Sequence, residues 1–302
     1  MKLATLMSLL ALLSSAKALR SSSSILRLAS NHQLSIMMSS SSTASNNKGK
    51  LLVLGGTGFL GQMVCQRAVV EGYSVVSLSR RGLVSPDVPS AAKADYRQGD
   101  CRRKEMIATV LDEGGFTGVI HCIGLLFDDQ SGLGSYNRFV SGSGSLPDSD
   151  STYDTITRLT SFHAIEASEE YAQKNKIDAF PFCFTSAAEA GWPDVTGGAL
   201  IEQNLAPDFL QRYLAAKRAV EAKLLGSTTL RPIVVRPSLI YSLDRPLSLP
   251  SVGAFFVGNK IGLPFVDRPV TVQALSAAMV RAMGQPGVSG IQRYPEIDRL
   301  SE

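Results

Sequence analysis

The chain has 302 residues, of which 44% are hydrophobic and 19% charged, enough for one large domain or two small ones. This composition excludes a disordered chain and a fibrous protein. The formal net charge of +4 does not describe the whole chain evenly, because the first 50 residues hold six of the 30 basic residues and no acidic one. The rest of the chain has 24 basic and 26 acidic residues, which argues against a nucleic-acid partner.

Residues 1–47 have the composition of a targeting leader. Lys2 precedes the apolar run Leu3–Leu13, and Ala16-Lys17-Ala18 fits a signal-peptide cleavage site. Serine-rich, acid-free sequence then follows, as in an organellar transit peptide. The two interpretations are a bipartite leader that serves plastids through the secretory route, and a mitochondrial presequence with an apolar start. The apolar run is too short to span a bilayer, so we expect a soluble or peripheral mature protein.

From Gly49 onward, short β-rich apolar runs alternate with helical segments, which predicts a parallel sheet with crossover helices. We expect an α/β fold of the Rossmann type, doubly wound, over 48–241, and a small C-terminal substrate-side subdomain over 242–302 with a helix that returns to the core. The predicted strands are 51–54, 74–79, 96–99, 118–123, 180–185 and 233–235. The predicted helices are 59–71, 102–111, 153–175, 208–225 and 272–283. We predict a surface insertion over 128–150 and irregular structure over 242–268.

The strongest functional signal is the turn GGTGFLG between the first strand and the first helix, in which Gly55, Gly58 and Gly61 are spaced GxxGxxG. Glycine allows a sharp turn, a close approach of the backbone to a pyrophosphate, and tight helix–strand packing. The helix N-terminus adds N–H donors and partial positive charge. The alternative is a glycine-rich turn without a ligand. The residues predicted to bind the nucleotide here are Gly55, Thr57, Gly58, Phe59, Leu60 and Gly61.

The end of the second strand indicates which nucleotide is preferred. An acidic residue there would bind the ribose hydroxyls of NAD, but this chain has Arg80 and Arg81. Guanidinium groups bind phosphate oxygens with charge-assisted hydrogen bonds, so NADP(H) is favoured over NAD(H). The alternative is that both arginines merely cap a solvated turn. Asp100, after the third strand, is a candidate for the adenine amino group or an ordinary turn residue.

The candidate catalytic residues are Ser186, Tyr213 and Lys217. Ser186 ends a strand, and Tyr213 and Lys217 lie four residues apart on one face of the following helix. A nearby ammonium stabilises a phenolate and lowers the pKa of the phenol, while a serine hydroxyl can orient a substrate oxygen. The alternative is that Tyr213 is an ordinary core residue. The four cysteines lack metal or disulfide spacing, so we predict core thiols and no metal site.

Several segments together resemble the short-chain dehydrogenase/reductase superfamily in its atypical or extended form: GGTGFLG, VIHCIG, FTSA, YLAAKRAVE and RPIVVRPSLIYS. More narrowly, they resemble the branch of the NAD(P)H-binding accessory subunit of respiratory complex I and of the coenzyme Q biosynthesis reductase-like proteins. The resemblance implies that Tyr213 and Lys217 lie at the nicotinamide and that Arg236, Pro237 and Tyr241 border the substrate pocket. The chain departs from ordinary reductases in having Cys-Ile-Gly where they carry Asn-Ala-Gly.

The first functional hypothesis is an organellar NADPH-dependent oxidoreductase, linked to quinone (ubiquinone) biosynthesis or the respiratory chain. Its predicted substrate is a small hydrophobic carbonyl or quinone-type molecule, and its predicted partner is a membrane-associated quinone-synthesis or respiratory complex. The resemblance favours the mitochondrion over the plastid. The alternative is a nucleotide-binding assembly subunit that does not turn over, and a third hypothesis is an epimerase or dehydratase.

Overall fold

The computed structural model describes residues 48–83, 94–131, 150–242, 260 and 267–302. The predicted leader, most of the predicted insertion and most of segment 242–268 lie outside the described residues. The strands are β1 (Lys50–Leu54), β2 (Ser74–Ser79), β3 (Asp95–Gln98), β4 (Phe116–His121), β5 (Phe180–Thr185), β6 (Leu230–Val235), β7 (Ile240–Tyr241), β8 (Val270–Thr271) and β9 (Gly290–Gln292).

In the described part of the chain, seven α-helices connect or flank these strands, together with three shorter or wider helical turns. The α-helices are α1 (Phe59–Val70), α2 (Lys104–Leu111), α3 (Thr160–Asn175), α4 (Gly198–Leu205), α5 (Asp208–Leu225), α6 (Val272–Met283) and α7 (Tyr294–Ser301). Tyr153–Leu159 is π-helical and runs into α3, whereas Asp129–Ser131 and Ala188–Asp194 are 3₁₀ turns.

Seven strands form one parallel sheet in the order β3-β2-β1-β4-β5-β6-β9, and β7 and β8 form a separate pair. The predicted Rossmann-type doubly wound sheet is therefore confirmed. The strand order reverses between β1 and β4, where an open α/β sheet leaves a crevice at the carboxyl ends of its strands. The glycine turn lies at this reversal.

The sheet is apolar on both faces because helices cover both of them. Leu51 and Val53 of β1 pack with α1, α6 and α7 on one face, whereas Leu52 and Leu54 pack with α2, α3 and α5 on the other. All four side chains are fully buried, and each buried leucine or valine contributes about 2 kcal/mol of transfer free energy. The continuous LLVL run is therefore what a central parallel strand requires.

Three differences from the sequence prediction affect the site. The predicted helix 153–175 begins as a π-helical turn, and the loop after β5 contains a 3₁₀ turn and α4, which were not predicted. Strand β4 ends at His121 rather than at residue 123, which leaves Cys122-Ile123-Gly124 as a turn. Short runs with few apolar residues carry weak periodicity, so tertiary contacts decide their conformation.

A seventh strand, β9, was also not predicted, because Gly290–Gln292 is too short to show alternation. It extends the sheet beside β6, with Ile233 paired to Gly290. The buried Arg231 guanidinium supports the preceding loop by donating to the carbonyls of Ala282, Met283, Gln285 and Val288, at 3.2, 2.7, 3.0 and 2.5 Å. Residues 282–292 therefore belong to the same sheet domain as β1.

Within the described residues, no helix is both long enough and apolar enough to cross a bilayer. The four cysteines are free thiols, and Cys65, Cys101 and Cys183 are buried while Cys122 is half-buried. This agrees with the predicted core thiols.

Candidate functional site at the carboxyl edge of the sheet

The glycine turn is built so closely that a side chain is excluded at three of its four glycines, Gly55, Gly56 and Gly61. A Cβ on Gly61 would lie 2.2 Å from the carbonyl oxygen of Gly55, and Gly55 itself has a φ of +85°. By contrast, a Cβ on Gly58 would meet only that same carbonyl oxygen, at 3.2 Å. Gly55 and Gly61 therefore shape the turn, while Gly58 leaves its outer surface open for the close approach of a ligand.

The predicted arginines lie beside this turn. Arg81 Nη2 donates to the carbonyl oxygen of Thr57 at 2.7 Å, so Arg81 reaches from the end of β2 to the glycine turn. Arg80 is exposed, and its charge acts on the Asp100 carboxylate at the end of β3. Asp100 accepts bonds from the Arg102 side chain at 2.7 and 2.9 Å, and these bonds lower its pKa more than any other contact does. Asp100 is therefore held by Arg102.

The turn after β4 joins the glycine turn to the catalytic candidates. A Cβ on Gly55 would lie 2.9 Å from the Ile123 side chain and 3.2 Å from the Cys122 carbonyl carbon, and a Cβ on Gly124 would lie 3.7 Å from Lys217 Nζ. The structure thus brings the glycine turn and Lys217 to one crevice at the carboxyl edge of β1, β4 and β5. This is the position at which open α/β sheets bind ligands.

Lys217 is a buried cation, 3% exposed. Its Nζ donates to the carbonyl oxygen of Thr185 at 2.7 Å and lies 4.9 Å from the ring centre of Phe184. Burial lowers the pKa of Lys217 to about 8, and the Glu221 carboxylate opposes that shift. The ammonium is therefore held in a fixed place at neutral pH and is close to losing its proton.

Tyr213 lies one helical turn before Lys217, whose Nζ is 5.5 Å from the centre of the Tyr213 ring. The half-buried ring also meets Tyr153 of the π-helical turn edge-on, with 5.6 Å between ring centres. Burial, the Glu189 carboxylate and Tyr153 all raise the pKa of Tyr213, so the lowering of this pKa that the sequence predicted from Lys217 is wrong for the protein without a bound ligand. The predicted pair on one helix face is thus brought together.

Ser186 occupies a different environment from the one that its position in the sequence suggested. Its Oγ donates to Glu221 Oε1 at 2.5 Å, and the same carboxylate accepts from Arg236 Nε and Nη2 at 3.0 and 2.6 Å. Tyr213 packs against a small apolar cluster that includes Ala187, the residue after Ser186. The hydroxyl hydrogen of Ser186 is therefore used within the protein, and Arg236 is an ion-pair partner of Glu221 rather than an open pocket residue.

Sequence reasoning missed two acidic residues of this site. Glu221 follows Lys217 by four residues, so the same helical spacing that paired Tyr213 with Lys217 could have identified it. Glu189 is the second residue of the 3₁₀ turn after β5; burial raises its pKa to about 7, and its charge acts on Tyr213. Nothing in the local sequence distinguishes Glu189 from a loop residue.

A cavity of about 370 Å³ opens on the other side of Tyr153. Arg158 and Arg212 line it, each paired with a carboxylate: Arg158 with Asp154 at 2.5 Å, and Arg212 with Asp128 at 3.2 Å. Its cations are therefore already neutralised within the protein.

The glycine turn has the geometry that a dinucleotide requires. Gly55 and Gly61 exclude a Cβ, the outer side of Gly58 is open, and a helix of twelve residues begins at Phe59 without an acidic residue in its first turn. Such a helix N-terminus favours a negatively charged group. Within the described residues, no cluster of three His, Cys, Asp or Glu side chains is arranged to hold a metal ion.

Sequence comparisons agree with this geometry. Residues 51–141 match the model of the NAD dependent epimerase/dehydratase family. MIOREX complex component 2 of Saccharomyces cerevisiae is 25% identical, over 82% of this chain and 98% of the relative. A chloroplastic protein of Arabidopsis thaliana is 24% identical, over 82% of this chain and 76% of the relative.

Solved structures share the fold at low identity. UDP-glucose 4-epimerase of Thermotoga maritima, with UDP-glucose, is 17% identical with a TM-score of 0.53, over 81% of this chain and 76% of its own. ElxO with bound NADP is 12% identical with a TM-score of 0.56, over 81% of this chain and 96% of its own. WbmF of Bordetella bronchiseptica, in complex with NAD+, is 13% identical with a TM-score of 0.53, over 85% of this chain and 78% of its own. These structures show the fold alone; the match of residues 51–141 to the NAD dependent epimerase/dehydratase family and the yeast relative confirm the predicted resemblance to the short-chain dehydrogenase/reductase superfamily.

Proposed function

We propose that this chain, similar in its first half to the NAD dependent epimerase/dehydratase family, is an organellar NAD(P)H-binding oxidoreductase. Its proposed substrate is a hydrophobic carbonyl or quinone-type molecule. The observation that carries the proposal is the single crevice in which the glycine turn, the turn at Cys122–Gly124, Lys217 and Tyr213 follow one another. A dinucleotide held at the glycine turn would place its far end beside Tyr213.

The backbone of the glycine turn and the positive charges beside it would bind the nucleotide. Gly58 leaves the backbone open to a pyrophosphate, and the N-terminus of α1 at Phe59 and Leu60 offers its partial positive charge. The basic end of β2, with an exposed Arg80 and no acidic residue, supports a preference for NADP(H) over NAD(H). ElxO and WbmF, which share the fold, carry NADP and NAD+ respectively.

A bound reduced nicotinamide would supply hydride to the substrate. Tyr213 then donates the proton to the substrate oxygen, because a phenol is protonated at neutral pH and Tyr213 lies on the same helix face as Lys217. Lys217 stabilises the phenolate that remains, since its ammonium lies 5.5 Å from the ring centre.

The test is fluorescence titration with NADPH and NADH, followed by NADPH oxidation with a short-chain quinone. Tyr213→Phe should lower kcat by about 100-fold and leave NADPH affinity within about twofold. Tyr73→Phe is the matched control, because Tyr73 lies at the amino edge of the sheet, before β2, and should leave kcat unchanged. Absence of binding to either nucleotide overturns the proposal, and unchanged kcat in Tyr213→Phe overturns the role of Tyr213.

A second candidate function is a nucleotide-binding assembly subunit without turnover. The observation that favours it is the Ser186 hydroxyl, which is bonded to Glu221, while Ala187 belongs to the apolar cluster against which Tyr213 packs. MIOREX complex component 2 is by its name part of a complex. Full complementation of a null strain by the double variant Tyr213→Phe, Lys217→Met would support this function. Failure of a folded, assembled double variant would support the oxidoreductase.

The organellar assignment rests on the leader and on the chloroplastic relative. The family resemblance supports the mitochondrion and a membrane-associated quinone-synthesis or respiratory complex as partner, with the plastid as the alternative. Imaging of the full chain with a C-terminal fluorescent tag, followed by size fractionation of detergent extracts, tests both. A cytosolic signal, or migration as a monomer alone, would contradict them.

A further inference from the structure

The two arginines after β2 have different surroundings. Arg81 Nη2 donates to the carbonyl oxygen of Thr57 within the glycine turn, at 2.7 Å. Arg80 is exposed, and its charge helps to lower the pKa of the Asp100 carboxyl, which follows β3. The structure therefore gives Arg81 a contact with the glycine turn and places the charge of Arg80 near the residues that follow β3.

The contact of Arg81 is reinforced from α1. Gln62 Nε2 donates to the same carbonyl oxygen of Thr57 at 3.0 Å. Thr57 is itself only 5% exposed, so this carbonyl accepts two hydrogen bonds in a place largely screened from water. The bond from Arg81 is charge-assisted, which makes it the stronger of the two.

The carbonyl of Thr57 and the N–H of Gly58 belong to one planar peptide unit. The Gly58 N–H donates to the carbonyl oxygen of Gly55 at 2.9 Å, across the turn. This peptide unit is therefore fixed at both ends, by Arg81 and Gln62 at its oxygen and by Gly55 at its nitrogen. Rotation of the unit would break all three bonds, so its orientation, and with it the start of α1, is set before any ligand arrives.

We propose that Arg81 is a positioning residue that holds the phosphate-binding turn for NADP(H) and NAD(H) alike, and that Arg80 supplies the recognition of the 2′-phosphate. This inference rests on the proposed nucleotide binding and divides between two residues a role that the sequence assigned to both. A pyrophosphate is common to the two nucleotides, whereas the 2′-phosphate is present only in NADP(H). The two arginines should therefore differ in which nucleotide they affect.

The binding test is titration of NADPH and NADH against three variants. Arg80→Ala should weaken NADPH about tenfold or more and leave NADH within about twofold. Arg81→Ala should weaken both nucleotides by the same factor, about tenfold. Gln62→Leu removes the second hydrogen bond to the Thr57 carbonyl without changing the net charge. It should weaken binding of NADPH and of NADH by the same factor, smaller than for Arg81→Ala. Because Gln62 is uncharged, such a loss would come from the position of the turn and not from attraction of phosphate.

A second measurement needs no nucleotide. In hydrogen–deuterium exchange of the ligand-free protein, Arg81→Ala should speed exchange of the turn amides of Gly55–Gly61 about tenfold, whereas Arg81→Lys should restore part of the protection and Arg80→Ala should change nothing. Unchanged exchange in Arg81→Ala, or weakening of NADPH alone, overturns the positioning role. If the wild-type protein shows the expected exchange pattern but binds neither nucleotide, the proposed function fails while the structural role of Arg81 stands.

Discussion

The Ser186 hydroxyl donates to the Glu221 carboxylate at 2.5 Å, joining the end of β5 to α5 beneath the candidate site. Arg236, at the end of β6, binds the same carboxylate through two nitrogen atoms, at 3.0 and 2.6 Å. All three side chains are at most 8% exposed. The carboxyl ends of β5 and β6 are thus fixed to the helix that carries Tyr213 and Lys217.

Ser186→Ala should lower the free energy of unfolding by about 1–2 kcal/mol, because it removes one charge-assisted hydrogen bond while Arg236 keeps the carboxylate paired. NADPH affinity should stay within about twofold. Urea denaturation and NADPH titration measure the two effects. Ser289→Ala is the control, since the Ser289 hydroxyl makes only an exposed bond. Unchanged stability combined with a large loss of kcat would instead support the substrate-orienting role predicted from the sequence.

Glu221→Gln should shift the pH dependence of turnover. The pKa of Lys217 is about 8 because burial lowers it, and the Glu221 charge opposes that effect. Without this charge the pKa of Lys217 falls further, so activity that needs the ammonium should decline at lower pH than in the wild-type protein. A pH series of kcat measures the shift.

The variant should also lose about 3 kcal/mol of stability, because it leaves the buried Arg236 with only the exposed Asp194 carboxylate, at 3.2 Å, as its counter-ion. Glu166→Gln is the matched control. It breaks the ion pair, 3.0 Å long and near the surface, between Glu166 of α3 and Lys223 of α5, the helix that also carries Glu221. This variant should leave the pH profile of kcat unchanged. An unshifted profile in a folded Glu221→Gln protein would contradict the coupling to Lys217.

Glu189→Gln should flatten the pH dependence of stability in the acidic to neutral range. Burial raises the pKa of Glu189 from 4.5 to about 7, so between these pH values the folded protein keeps a proton that the unfolded chain releases. Wild-type stability therefore declines as the pH rises through this window, and the variant should lack that decline. Thermal melts across the range test this, with the exposed Glu170→Gln as control. Parallel curves for Glu189→Gln and wild type would refute the raised pKa.

Gly61→Ala should abolish nucleotide binding and destabilise the fold. The added Cβ would lie 2.2 Å from the Gly55 carbonyl oxygen and 2.7 Å from the Gly56 Cα, so α1 must move away from the turn. Gly287→Ala is the control, because a Cβ there meets nothing within 4 Å. NADPH titration and thermal melts of both variants give the comparison. Normal binding by Gly61→Ala would contradict the tight turn.

Local sequence determined the parts of this protein whose signal lies within one segment. The LLVL run and the glycines after it specify a central strand, a turn and a helix, because apolar continuity and the lack of a Cβ act over a few residues. Tyr213 and Lys217 share a helix face for the same local reason, the period of 3.6 residues. Arg80 and Arg81 are placed near the turn simply by following β2.

Tertiary structure alone decided where side chains point and which distant groups meet. Ser186 turns toward Glu221, 35 residues away, and Arg81 reaches Thr57, 24 residues away, so neither contact follows from local periodicity. The raised pKa of Glu189 likewise depends on burial created by segments far apart in the chain. A local pattern determines the backbone conformation of a segment. The directions, the burial and the charge pairing of its side chains are fixed only when the whole sheet and its helices are packed.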